Sequence, residues 1–495
     1  MEQNSSEEIV PPVPAASFGI NVNFCKNPHC ANFGVPADVV KHRRRKGAMG
    51  VTPGTAYGLV GVAKNRPALK CLLCEEIFSI KSNVTVTEEL ARFGAHLAPQ
   101  SAIFCKSISC PNHSISIDTP GAYQRFGTTA AGTIRYRCRF CCGTLTGRPK
   151  ALHRQRITAQ NKTILMALTN KMPLRRICKV AGINAVTLYS KINFLHKQCV
   201  AFAAHREAGL KDRDILRLYI SVDRQVYFNN WGDESDRRNI TIWAVGSADN
   251  VSGYVFGMHP NFDQSADPIQ IKLDAAVGGD SMLPYPHRGF ARLWLPDDDQ
   301  ASLASKMAEY GRKAAKARQS PVGKSIEYVV EDACEAAAIR EDVEISTLKG
   351  DNEKLPDANG MLVHEEYCLY GHFQFLKTIL PSTGKLRFFL DQDSGIRAAC
   401  FAAFSKEVQA RTVDAFYVKT AKEITIDKKR SLISASNKRF TEARMAYGMN
   451  LSEDEVKILM MKAEIAKSVR IGQWNDNWCA ILSLRCQSQK KPCAG

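Results

Sequence analysis

Residues 216–228 read LRLYISVDRQVYF, and a strict alternation runs through them. Leu218, Ile220 and Val222 share one face while Tyr219, Ser221 and Asp223 share the other, which is the period of a β-strand. Asp223 falls mid-strand, where a carboxylate is costly unless it binds something. Two further strands are predicted at RNITIWAVGS (238–247) and GYVFGMH (253–259), joined by the turn residues ADNVS. Beyond a stretch of mixed helical character, rich in Ala and Lys around AEYGRKAAKARQSP, the segment LRFFLDQDSGIRAACFAAF (386–404) gives a short apolar strand ending at Asp391 and then a helix. Asp393, two residues on, reads as a helix N-cap. A following strand is predicted at VDAFYVKTAK (413–422).

Upstream, one cysteine phrase is written twice, as FCKNPHCANFG (24–34) and FCKSISCPN (104–112). Internal repetition of this kind marks a repeated structural unit. Each phrase opens a quartet in which a C-x4-C pair is followed, after a long excursion, by a C-x2-C pair: Cys25, Cys30, Cys71 and Cys74, then Cys105, Cys110, Cys138 and Cys141. Two short-spaced pairs can supply four thiolates to a tetrahedral zinc while the chain between them forms strands, so two zinc ribbons are expected. Cys142 reads as a spare. His29 and His113 read as loop histidines, with His113 a weak substitute ligand.

Between Thr119 and Arg206 there are sixteen Lys or Arg and no Asp or Glu, within a chain of formal charge +18. Such a stretch attracts a polyanion by displacing its counterions. It contains a three-helix pattern: apolar Ile164, Leu165 and Leu168 in a first helix, LRRICKVAG ending on Gly182, then AVTLYSKINFLHKQ capped by Asn184. The spacing is that of a helix-turn-helix, with Cys178 and Leu188 in its core. Asn184, Thr187, Tyr189, Ser190 and Lys191, with Arg175 and Arg176 of the preceding helix, are the expected DNA contacts.

Together the ribbons, the helices, SVDRQ and FFLDQDSGIRAA resemble bacterial insertion-sequence transposases of the DDE class, in a long form with cysteine-rich N-terminal ribbons. The resemblance covers nearly the whole chain. It implies a multidomain α+β protein: two zinc ribbons, a helix-turn-helix domain, and an incomplete ribonuclease H-like α/β catalytic domain. Three antiparallel strands, a helix and a further strand tipped by an acid are the order of that last fold. By the same match Asp223 and Asp391 are the first two catalytic acids, holding magnesium that drives cleavage and joining of phosphodiesters. The partners implied are double-stranded DNA, both terminal repeats and target, and further copies of the chain assembled on it. The third acid, a glutamate on a later helix, is not assigned; Glu453, Glu455 and Glu464 lie in a helical stretch, of which Glu453 and Glu455 read as an acidic first turn.

The expected organisation is a disordered N-terminus at 1–20, ribbons at 21–85 and 100–148, the helix-turn-helix at 150–205, and the catalytic domain at 212–478 with an insertion around 263–380. Residues 479–495, CAILSLRCQSQKKPCAG, add three cysteines without pairing logic and read as the product of a frameshift that truncates the catalytic domain. A truncated chain that binds element ends without cutting is therefore the alternative function. A zinc-ribbon transcription regulator is disfavoured by Asp223 and Asp391. The first residues carry acids and lack an apolar core, so no secretory signal is expected. No apolar run reaches the ~18 residues of a membrane span, and a cytoplasmic, nucleoid-associated protein is expected.

Overall fold

Tyr57 and Tyr123 stand at the same place in two copies of one small fold. The computed structural model describes residues 12–478 apart from 39, 44–48, 53–54, 61–66, 98–102, 148–151, 153–154, 231–235, 237, 296–297, 299–353, 357–358, 392–393, 419–425, 449, 468 and 472–475. The chain divides into two compact units, one of Met1–Phe93 with Asp212–Gly495 and one of Gly94–Lys211. In the first copy, β1 (Tyr57–Val60), β2 (Ala68–Cys71) and β3 (Ile77–Ser79) form an antiparallel sheet, followed by helix α1 (Asn83–Gly94). In the second, β4 (Tyr123–Thr128), β5 (Ile134–Cys138) and β6 (Thr144–Thr146) repeat the meander.

The first copy is not freestanding. It belongs to the same unit as the large sheet, and the reason lies in side chains that reach far along the sequence. Arg397 donates to Glu76 at 2.9 Å with both side chains nearly buried, Lys81 pairs with Glu366, and the Ser82 amide donates to the Tyr367 hydroxyl at 3.1 Å. Phe33 meets the Phe401 ring edge-on, with centroids 5.8 Å apart. Part of the N-terminal segment expected to be disordered is also held, because Asn83 donates to the carbonyls of Pro14 and Ala15.

The second unit carries three helices after its ribbon: α2 (Asn161–Thr169), α3 (Leu174–Ala181) and α4 (Ala185–Ala208). Ile164, Ala167, Ile177, Ala181 and Leu188 form their core, with Cys178 packed against it. Gly182 ends α3 at φ +62°, a left-handed conformation that glycine adopts without steric cost. Asn184 then caps α4 by accepting from the Thr187 amide at 2.8 Å. Helix α4 runs ten residues past the predicted AVTLYSKINFLHKQ, ending at Ala208 against an expected 198.

In the first unit a seven-stranded sheet is described. It is built on β7 (Leu218–Asn229), β8 (Ile240–Asp249) and β9 (Val255–Pro260), with helix α5 (Glu365–Ile379) preceding β10 (Leu386–Asp391). Helix α6 (Ser394–Ala403) leads to β11 (Val413–Val418), and α7 (Glu453–Lys467) precedes β12 (Val469–Ile471) and β13 (Asp476–Trp478). The order across the sheet is β9-β8-β7-β10-β11-β13-β12; the first three strands run antiparallel, whereas β10 and β11 run parallel to β7. Both faces are packed along the first half of β7, whereas Val226, Tyr227 and Phe228 in its second half are exposed. Ser247, opposite Val222, hydrogen-bonds His372 of α5 at 2.6 Å, so the even-numbered face of β7 looks toward that helix. On the other face Tyr219, Phe389 and Phe416 form a cluster with Ile458 of α7.

Removing one partner of a buried ion pair leaves the other uncompensated, at a cost of about 3–5 kcal/mol. Arg397→Met is therefore predicted to destabilise the unit by that order, and Glu76→Gln with Arg397→Met by clearly less, as read from denaturant midpoints of the three proteins.

Candidate functional site

The two cysteine quartets are assembled: in each, the four Sγ atoms lie within 4.8 Å of one another. In the first, Cys25 and Cys74 approach to 3.4 Å and Cys30 and Cys71 to 3.7 Å; in the second, Cys105 and Cys141 to 3.2 Å and Cys110 and Cys138 to 3.7 Å. Zinc–sulfur bonds of about 2.3 Å in a tetrahedron put sulfurs about 3.8 Å apart, so both quartets have the size and the donor chemistry to hold such an ion. Each thus could hold a metal ion.

The ribbons share more than their cysteines. The Cys25 amide donates to the Tyr57 hydroxyl at 2.9 Å, and the Cys105 amide donates to Tyr123 at 2.9 Å. Each tyrosine in turn donates to the carbonyl of the phrase's asparagine, Asn32 or Asn112. Those asparagines donate to Cys71 Sγ and Cys138 Sγ, both at 3.3 Å, and so hold a ligand in place from outside the quartet. Cys142 is outside the second quartet and sits at φ +58°, in the turn position that Glu75 takes at φ +62°. His113 has its Nδ1 2.8 Å from the Cys105 carbonyl and belongs to neither quartet.

Crowding four thiols distributes their protons unevenly. A hydrogen bond from Cys25 is the main reason the Cys74 thiol is drawn down to about 5. Burial, the largest single influence, opposes the same change at Cys138, but hydrogen bonds from the backbone N–H groups of Cys141 and Phe140 and from the Asn112 and Cys110 side chains together bring that thiol to about 6.

The acids are brought side by side by strand register. In the parallel pairing of β10 with β7, Leu390 lies opposite Val222, and the next residue on each strand is Asp391 and Asp223. Neighbouring strands lie about 4.8 Å apart, and side chains alternate faces. Both acids therefore share the odd-numbered face, that of Tyr219 and Phe389, at the carboxyl end of β10. Asp391 is half-buried and Asp223 is exposed. The mid-strand position of Asp223 thus carries no burial cost: β10 has ended beside it, and β7 continues paired with β8 alone. The Arg224 amide donates to Asp223 Oδ1 at 2.8 Å, while the Arg224 side chain turns to the opposite face, pairing with Glu365 and lying over Trp243.

On the three-helix unit, Arg175, Arg176, Asn184, Tyr189 and Ser190 are exposed and Thr187 is half-buried. Lys191 departs from expectation. It is buried at 3% exposure, with its ammonium donating to the Arg156 carbonyl and to Gln155 Oε1, so the segment before α2 claims it and it is not available to a partner. Asp393 and the tail 479–495 lie outside the described residues, as do the side chain of Glu464 and most of the insertion that follows residue 298. Glu455 accepts from the Ser452 amide and hydroxyl, both at 2.8 Å, a capping role, and Glu453 stands 4.0 Å from Arg444. No helix among the described residues is long and apolar enough to cross a membrane. Comparison with protein-family models, curated proteins and solved structures found no match.

Tyr57, Tyr123 and the Glu76–Arg397 pair escaped the sequence reading. The tyrosines carried a signal, since an Ala-Tyr pair recurs at 56–57 and 122–123; it was hidden by loops of different length between phrase and tyrosine. The ion pair spans 321 residues and leaves no local trace.

Metal analysis of the purified chain should give about two zinc ions, and Cys71→Ser or Cys138→Ser about one each. Because thiolates must be deprotonated to bind, zinc is predicted to dissociate as pH falls, with protons taken up in its place.

Proposed function

We propose that the chain is a DDE-class DNA transposase, in which the strand-end pair Asp223 and Asp391 holds divalent magnesium for cleavage and joining of DNA ends. The observation that carries this reading is the adjacency of the two acids: they follow Leu390 and Val222, partners in the parallel register, on one face of the sheet. Three antiparallel strands, a helix, and a parallel strand tipped by the second acid match the ribonuclease H-like order that the resemblance implies. Ligands of open α/β sheets gather at the carboxyl ends of the parallel strands, which is where this pair sits.

Carboxylate oxygens suit a hard cation, and magnesium retains several waters when few protein ligands are offered, so two acids are a workable start to its shell. Magnesium bound there would activate the attacking oxygen and stabilise the leaving oxygen of a phosphodiester. The chain's own contribution is positional. Register fixes the spacing of the carboxylates, and the Arg224 amide orients Asp223 through its Oδ1. The acid-free stretch from Thr119 to Arg206 and the exposed Arg175, Arg176 and Tyr189 support binding of duplex DNA by the second unit. The cysteine quartets, on this reading, hold structural zinc.

Incubation of the zinc-loaded chain with magnesium and a duplex carrying the element's terminal repeat should produce strand cleavage. Asp223→Asn and Asp391→Asn should each abolish it while leaving duplex binding intact. Tight binding without cleavage by the unsubstituted chain would instead favour a binding protein that occupies element ends.

A further inference from the structure

The two ribbons share a hydrogen-bond skeleton, so their surfaces can be compared position by position. The Cys71 amide donates to the Glu76 carbonyl where the Cys138 amide donates to that of Gly143, and the Leu72 amide donates to Ala56 where the Arg139 amide donates to Ala122. By this correspondence Ala68, Lys70, Glu75 and Glu76 of the first ribbon match Arg135, Arg137, Cys142 and Gly143 of the second.

Three of these four exchanges move the second ribbon toward positive charge, and the fourth, Lys70 to Arg137, keeps it. Ala68 is buried at 2% exposure, while Arg135 in its place is half-buried. Lys70 is paired with Glu75 at 3.0 Å, whereas Arg137 finds Cys142 at that position and donates its Nε to the Cys142 carbonyl at 3.3 Å. Glu76, the acid that ties the first ribbon to Arg397, is replaced by glycine. On β5, Arg135 and Arg137 are two residues apart and share a face. Both guanidinium groups lie over the exposed Phe126 ring, at 5.8 and 5.6 Å from its centroid. The strand beside them supplies Thr146 and Thr144, opposite Arg135 and Arg137 in register. An aromatic ring beside two guanidinium groups limits their rotamers, and with Arg137 Nε held by the Cys142 carbonyl the terminal N–H groups are left to meet phosphate oxygens.

We propose that this outer face of the second ribbon's sheet, centred on Phe126, Arg135 and Arg137, is a docking surface for the phosphate backbone of duplex DNA, and that the matching positions of the first ribbon, Ala68 and Lys70, do not form one. The proposal rests on the reading of the chain as a DNA-binding protein and adds a division of labour. One repeat is committed to supporting the sheet unit, the other to fixing the register of DNA in the unit that also carries α3 and α4. Contacts of this kind position a duplex without reading its bases.

The test uses the full zinc-loaded chain and a fluorescent duplex of arbitrary sequence, titrated by anisotropy at several salt concentrations. Arg135→Gln with Arg137→Gln should weaken binding about tenfold and make the slope of log affinity against log salt shallower by about 1.8, as expected for two lost phosphate contacts. Lys70→Gln, the matching change in the first ribbon, should alter neither. Zinc content of the double variant should equal that of the unsubstituted chain; if it falls, Thr144→Glu with Thr146→Glu places repulsion on the same face and should weaken binding similarly. Unchanged affinity in these variants, alongside lost affinity in Arg175→Gln with Arg176→Gln, overturns the docking face and leaves the DNA-binding reading standing. Absence of duplex binding by the unsubstituted chain overturns that reading and the docking face together. Preference of the face for single strands or RNA over the duplex overturns the assigned occupant.

Discussion

Parallel hydrogen bonding between β10 and β7 sets one register, Leu390 opposite Val222, and in doing so decides which residues stand together at the carboxyl end of β10. A slip of one residue would turn every side chain of β10 to the other face. Asp391 would then look toward α5, and Phe388 would leave the apolar layer in which it meets Phe373 and Phe404. The register is thus held by packing on both faces at once: Phe388 and Leu390 are buried on one, Phe389 with Tyr219 and Phe416 on the other. The acids occupy the place where this packing stops, which leaves Asp223 exposed and Asp391 half-buried.

The first ribbon is tied to the same apparatus. Arg397 lies on the helix that follows Asp391, and its ion pair with Glu76 joins that helix to the strand next to Cys74. Ribbon, helix and acid therefore form one mechanical chain within the unit. The second ribbon keeps the same internal skeleton of tyrosine, asparagine and cysteine but lacks the acid needed for such docking. The two copies share what could hold a metal and differ in what faces outward.

Much of this was legible because it is local. The alternation through LRLYISVDRQVYF gave both faces of β7, and the C-x4-C and C-x2-C spacings gave both quartets. Helix caps were equally readable, with Gly182 and Asn184 in the roles their chemistry suggests. What escaped depends on contacts distant in sequence. Lys191, three residues after buried Leu188 and four before Leu195, shares their helix face, and there the Arg156 carbonyl captures its ammonium. The burial cost assigned to Asp223 failed for a related reason: alternation tells which way a residue points, but not where the neighbouring strand ends. The association of the first ribbon with the large sheet depends on Glu76, Lys81 and Ser82 finding Arg397, Glu366 and Tyr367 some 300 positions away, and no pattern in one dimension encodes that.

The central claim is that Asp223 and Asp391 act as one cation site. Electron paramagnetic resonance of manganese titrated into the zinc-loaded chain addresses it directly, since manganese prefers carboxylate and water ligands to the thiolates of the quartets. The account predicts a bound-manganese signal that is lost in Asp223→Asn and lost equally in Asp391→Asn. A signal that survives both substitutions, or that depends on only one of the two acids, would contradict it.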